Sequence, residues 1–135
     1  MGHHRGTEDT ERSRNHKTHE ILGAAIQVHK ALGPGLLESA YQRCLCKELQ
    51  LRGVSFLSQV SLPIHYRGLV LDCGYRLDIV IPDFVIVEVK ALHHVLPVHR
   101  AQVLTYLKLT GIRLGLLINF NVEVLRTGIY RLING

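Results

Sequence analysis

Tyr75-Arg76-Leu77-Asp78-Ile79-Val80-Ile81-Pro82-Asp83-Phe84-Val85-Ile86-Val87-Glu88-Val89-Lys90 contains two apolar runs separated by a short turn. Leu77, Ile79 and Ile81 alternate with Val80, and Val85, Val87 and Val89 alternate with Ile86, so each run is apolar on both parities. Strands of this kind lie inside a sheet that is covered on both faces. Asp78, Glu88 and Lys90 are therefore charges in a costly place. Residues two apart on a strand share a face, which sets Glu88 beside Lys90 and turns Val89 away. With Pro82-Asp83-Phe84 as a three-residue connection, Asp78 falls opposite Glu88, with Cβ atoms about 5 Å apart. Two carboxylates and an ammonium then share one small patch.

Adjacent carboxylates repel, and burying them without a partner costs several kcal/mol, so the arrangement suits a hard divalent cation. Magnesium takes oxygen ligands in octahedral geometry and retains waters, as a solvent-open site of two or three carboxylates allows. From these strands alone, the alternative is a salt-bridge cluster in which Lys90 neutralises Glu88.

Working outward, apolar residues Ile21, Ala25, Val28 and Leu32 recur at helical spacing from Thr18, a candidate N-cap, to the breaker Gly33-Pro34-Gly35. A second helix is expected from Leu36 to Leu51, with Leu37, Ala40, Tyr41, Cys44, Leu45 and Leu49 on its apolar face and Gly53 as its stop. Runs 54–66 and 69–73 precede the two decisive strands as parts of a meander. Residues 98–110 return to helical spacing; 114–119, 122–125 and 129–133 are expected strands. The order defines an α/β (α+β) sandwich with a mixed β-sheet flanked by α-helices.

At 135 residues the chain is long enough for one core, and folding at that size buries about two thirds of the unfolded surface. Residues 18–135 are expected to form that single domain. Residues 1–17 read as a frayed polar tail without apolar periodicity. No apolar run is long enough to span a membrane and the first residues are polar, which together with three cysteines implies a cytoplasmic protein with reduced thiols. Cys44 and Cys46 point apart on a helix, which disfavours a zinc site. Three cysteines are also too few for a four-cysteine iron–sulfur cluster. The net charge is +5, and clustering of acids at one metal leaves the remaining surface more basic still, suited to a polyanionic partner.

A third acid, Glu38, lies at the start of the second helix; its plainer role is a favourable charge at a helix N-terminus. Gln102 and Tyr106 share a face of the third helix, roughly opposite Ala101, Leu104 and Leu107. The series Gly35-x-x-Glu38-x-x-Tyr41, Asp78, Glu88-Val89-Lys90 and Gln102-x-x-x-Tyr106 resembles the GxxExxY proteins, a branch of the PD-(D/E)XK nuclease superfamily. The resemblance extends to the flanking phrases Val28 to Gly35 and Gly115 to Phe120. Leu77 stands where the superfamily's name has proline. The resemblance implies a restriction-endonuclease-like core and a metal-dependent nuclease, most simply acting on DNA. It further implies Asp78 and Glu88 as magnesium ligands, with manganese as a substitute, and Lys90 as the catalytic lysine. Glu38 would be an additional acidic ligand, and Gln102 and Tyr106 would orient the lysine or the phosphate.

Phosphate contacts are expected from Arg43, Lys47, Arg67, Arg76, Arg100 and Lys108, which carry little sequence information. A homodimer fits cleavage of both strands of a duplex, and a protein partner could supply targeting. The rival class is a non-catalytic nucleic-acid or protein-interaction module whose acids form an ion-pair network. His93, His94 and His99 follow Lys90 closely and read as loop or cap residues with an optional role at the site.

Overall fold

A computed structural model describes residues 2–135, with side chains described from residue 11 onward. Of the segment 1–17, expected to be frayed, residue 1 and the side chains of residues 2–10 lie outside the described residues. Helix α1 spans Gly2–Leu32, so Thr18 lies within it rather than at its cap, and its hydroxyl donates to the Arg14 carbonyl at 3.0 Å. Residues 11–17 are exposed, and packing begins at Thr18, followed by Ile21, Ala24, Ala25 and Val28. Apolar periodicity therefore marks where the helix touches the core. It is silent about how far Arg, Glu and Lys, which are good helix formers, carry the helix into solvent.

Gly33 and Gly35 both have positive φ, 69° and 98°, the left-handed region glycine enters without steric cost. They turn the chain into α2, Glu38–Leu51, which starts two residues later than expected. Tyr41, Leu45 and Leu49 are its buried stripe, whereas Leu37 and Cys44, expected on that face, are exposed.

The strands are β1 (Leu57–Ser61), β2 (Ile64–Tyr66), β3 (Leu69–Leu71), β4 (Arg76–Ile81) and β5 (Val85–Lys90), followed by helix α3 (Pro97–Thr110), β6 (Leu114–Asn119) and β7 (Ile129–Ile133). The expected meander is broken, because β1 pairs directly with β4 while β2 and β3 form a separate hairpin. Its turn, Arg67-Gly68, has positive φ at both residues, matching the twist of a tight hairpin, and Pro63 lacks the N–H needed to continue β1. The expected strand 122–125 is instead a bend leading into a 3-10 turn, Leu125–Gly128, and 129–133 is the strand.

The main sheet has the order β1-β4-β5-β6-β7, with β5 and β6 parallel and the other neighbours antiparallel. It is the mixed sheet expected. Helices α1 and α2 pack with Ile79, Ile81, Val85, Val87 and Val89, while α3 packs with Leu77, Val80, Ile86 and Leu117. A Cβ on Gly115 of β6 would come 2.7 Å from the Val103 side chain, so this glycine admits α3 close to the sheet. On α3 the buried residues are Val103, Tyr106 and Leu107, with Leu104 half-buried against the same cluster; Ala101, expected beside Leu104 and Leu107, is exposed, and Tyr106 lies with the apolar face rather than opposite it. Coverage on both faces explains why β4 and β5 lack polar alternation.

Candidate active site

The turn joining β4 to β5 is closed by the Phe84 N–H donating to the Ile81 carbonyl at 3.0 Å, with Asp83 at φ 60°. Ile81 pairs with Val85, Val80 with Ile86 and Ile79 with Val87. The next position in that register sets Asp78 against Glu88, as the loop length predicts, but there the ladder changes character. The Asp78 N–H donates to Glu88 Oε1 at 3.0 Å, and the Val89 N–H donates to Asp78 Oδ2 at 2.8 Å. Carboxylates have replaced backbone carbonyls as acceptors.

The opposite side of β4 is interrupted at the same residue. Ser58 pairs with Ile79 and Val60 with Leu77, which leaves Gln59 facing Asp78 without a ladder partner and with φ 52°. The Asp78 carbonyl accepts instead from Gln42 Nε2 at 3.2 Å. Packing follows the break: Leu77 joins the α3 side and Ile79 the α1–α2 side, although an unbroken strand would put residues two apart on one face. The sheet is opened around one acidic residue.

Glu88 is 3% exposed. Burial, reinforced by the Asp78 charge, pushes its pKa to about 8. Burial also raises Asp78, against the opposing pull of the Val89 N–H, Lys90 and a hydrogen bond from the Glu88 carboxyl. Near neutral pH this pair therefore holds a proton. Glu38, the first residue of α2, is exposed at its surface yet partly desolvated, which raises its pKa, an effect that Lys90 opposes and Asp78 supports. Glu38, Asp78, Glu88 and Lys90 thus act on one another electrostatically. The ion pairs among the described residues are those of Arg52 with Glu20 and Glu48, so the salt-bridge cluster considered for Lys90 and Glu88 does not form.

Among the described residues no three His, Cys, Asp or Glu side chains are gathered into a ready metal cage. Asp78 and Glu88 are brought together; Glu38 stands by without closing the set. Two carboxylates that repel and retain a proton, with a third nearby, fit a hard cation that keeps several waters. Tyr106 is buried and its pKa is raised by burial and then by the Glu88 charge, so its phenol lies within electrostatic reach of the acids. Its ring meets Tyr75 edge-on at 6.4 Å. Gln102 is half-buried one turn earlier on the same face and makes no hydrogen bond to the acids among the described residues. His99 accepts the Leu96 N–H at 2.9 Å as a cap at the start of α3, and His93 and His94 are exposed.

A hub that sequence reasoning missed ties these pieces together. Asn119, at the end of β6 opposite Lys90, accepts the Leu92 N–H at 2.8 Å and donates to the Leu92 carbonyl at 3.0 Å. Asn121 accepts the Gly35 N–H at 3.1 Å, and the Phe120 N–H donates to the Lys90 carbonyl at 2.9 Å. His29 of α1 lies 2.7 Å from the Val122 carbonyl. Tyr41 completes the hub: its ring stacks on Phe120 with centroids 4.8 Å apart. Its hydroxyl donates to the Gly33 carbonyl at 2.6 Å and accepts the Leu36 N–H at 3.1 Å. The segment carrying Glu38 and the strand end carrying Lys90 are thereby fixed to one loop. The sequence signal was Asn119, a polar residue closing a buried apolar run.

Tyr41→Phe keeps the stacking but strands a carbonyl and an amide, and is expected to cost about 1–3 kcal/mol. Urea denaturation monitored by circular dichroism checks this; an unchanged midpoint would show that the hydroxyl contributes nothing.

A family model of the PD-(D/E)XK nuclease superfamily matches residues 15–132, and the chain belongs to that superfamily. No curated protein and no solved structure matches it. The mixed five-stranded sheet flanked by helices is the restriction-endonuclease-like architecture of that superfamily. Its nucleases generally use divalent metals and act on nucleic acid.

Proposed function

We propose that this chain is a metal-dependent nuclease of the GxxExxY branch that hydrolyses phosphodiester bonds, most simply in DNA, within a domain formed by residues 18–135. The carrying observation is the Asp78–Glu88 carboxyl pair, Glu88 buried and Asp78 half-buried in an opened sheet, within the electrostatic reach of Lys90 and Glu38. Asp78, Glu88 and Glu38 are the residues that would hold magnesium, or manganese in its place. When bound, such an ion supplies positive charge at the phosphoryl oxygens and a water of lowered pKa.

The chain's own groups do the rest. Lys90, a compact cation with rotatable donors, orients the attacking water or stabilises charge on the phosphate. Tyr106 and Gln102 line the same side of the sheet and orient the lysine or the phosphate. The basic surface retains the polymer through phosphate contacts, giving salt-dependent affinity with little sequence preference. A homodimer would cut both strands of a duplex, and a protein partner would direct it to particular targets.

The reading is tested by incubating labelled single-stranded, double-stranded and branched DNA, and RNA, with magnesium, manganese or EDTA. Cutting that requires the metal is expected; cutting in EDTA would exclude this mechanism. Magnesium should also raise the melting temperature, by the equivalent of about 2.7 kcal/mol at a hundredfold excess over its dissociation constant. Asp78→Ala should erase that rise, whereas an interaction module with no metal site would show no rise in either protein.

A further inference from the structure

Beside Asp78, α2 faces β1 across a groove of about 870 Å3. Arg43 and Lys47 line it, both exposed and one helical turn apart, and neither belongs to the ion pairs among the described residues. Glu38 and Asp78 are the acids in its wall, so the groove is acidic at the candidate active site and basic along α2. Gln59 Nε2 donates to Gln42 Oε1 at 2.7 Å, and Gln42 continues to the Asp78 carbonyl, a chain of amides from the wall to the opened strand. The left-handed backbone of Gln59 is a conformation that a non-glycine residue adopts only at a steric cost and that clusters at functional sites.

We propose that this groove carries one strand of a polynucleotide past Asp78, its phosphates against Arg43 and Lys47 and its sugars and base edges against the Gln42–Gln59 amide pair. This rests on the nuclease reading above and narrows it to a strand separated from its complement at the site. The volume falls within the about 300–1,000 Å3 of pockets that enclose small ligands, enough for a few nucleotides of one strand. A duplex, whose major groove alone is about 12 Å wide, would have to lie outside. Among the described residues no aromatic side chain lines the groove, so the strand is held by charge and hydrogen bonds, with no base stacking.

The test is binding of short, labelled single-stranded DNA and RNA oligonucleotides, and of the matching duplex, in EDTA, titrated with salt. Each single-strand phosphate neutralised adds about 0.7 to the slope of log affinity against log salt, so Arg43→Ala/Lys47→Ala should flatten that slope by about 1.4 and weaken all sequences alike. Arg113→Ala/Arg131→Ala, on a separate cavity at the other end of the sheet, should leave both quantities unchanged. An unaltered slope in the groove variant, a loss confined to duplex, or a larger loss in the Arg113/Arg131 variant would each overturn the proposal. Cleavage is read separately on the wild-type protein. Groove-dependent binding without any metal-dependent cutting would overturn the nuclease reading and leave the strand path standing.

Discussion

Lys90→Ala is expected to lower phosphodiester cleavage at saturating metal by at least ~100-fold while leaving the fold intact. Loss of one preorganised donor to a developing oxyanion costs about 10²–10³ in rate. The fold should survive because Lys90 is half-buried and makes no ion pair among the described residues, so its truncation leaves no bonded partner stranded. Equal melting temperatures and circular dichroism spectra, alongside lost cleavage, are the predicted signature. Lys90→Arg should not restore full rate, because a planar guanidinium fork cannot occupy the place of a compact ammonium. Full activity in the alanine variant would remove Lys90 from the mechanism.

The second large effect concerns stability. Glu88 has a folded pKa of about 8, above the ordinary 4.5, so the folded state keeps a proton that the unfolded chain releases. Metal-free protein should therefore be most stable at the acidic end of this window and lose stability as pH rises from about 4.5 through 8. The loss is on the order of a few kcal/mol, and Asp78, also raised, adds to it in the same direction. Glu88→Gln cannot ionise, yet retains an oxygen that can accept the Asp78 N–H. In EDTA the variant should melt above wild type at pH 9 and close to it at pH 5, while losing magnesium-dependent stabilisation and cleavage. Parallel pH profiles for the two proteins would contradict a buried, proton-holding Glu88.

The fold was legible where burial writes itself into alternation and period. Two strands apolar on both parities foretold a covered sheet, and a three-residue loop foretold that Asp78 and Glu88 would be neighbours. Elements whose pairing depends on distant residues were not legible: β1 reaches over the β2–β3 hairpin to β4, and the bend after Asn121 looked like a strand because Val122, Val124 and Leu125 are apolar for other reasons. The site was half legible. Charges in apolar strands stand out, whereas Gln59, Gln42 and Asn119 act through backbone groups that only the folded chain brings near. Tyr41 is the instructive case, because helical spacing put its ring on the apolar face while only the folded chain shows its hydroxyl serving the turn that precedes the helix.

Two amide hydrogens of the central strands, those of Asp78 and Val89, are bonded to acidic side chains instead of to backbone carbonyls. Their protection from exchange with solvent deuterium is thus tied to where those side chains point. Where Asp78 or Glu88 turns its bonded oxygen to a cation, the amide it held is freed, so these two positions should lose protection when magnesium is added while the adjoining ladder at Ile79 and Val87 keeps its own. The open end of the sheet is, in that sense, a latch whose state can be read one hydrogen at a time.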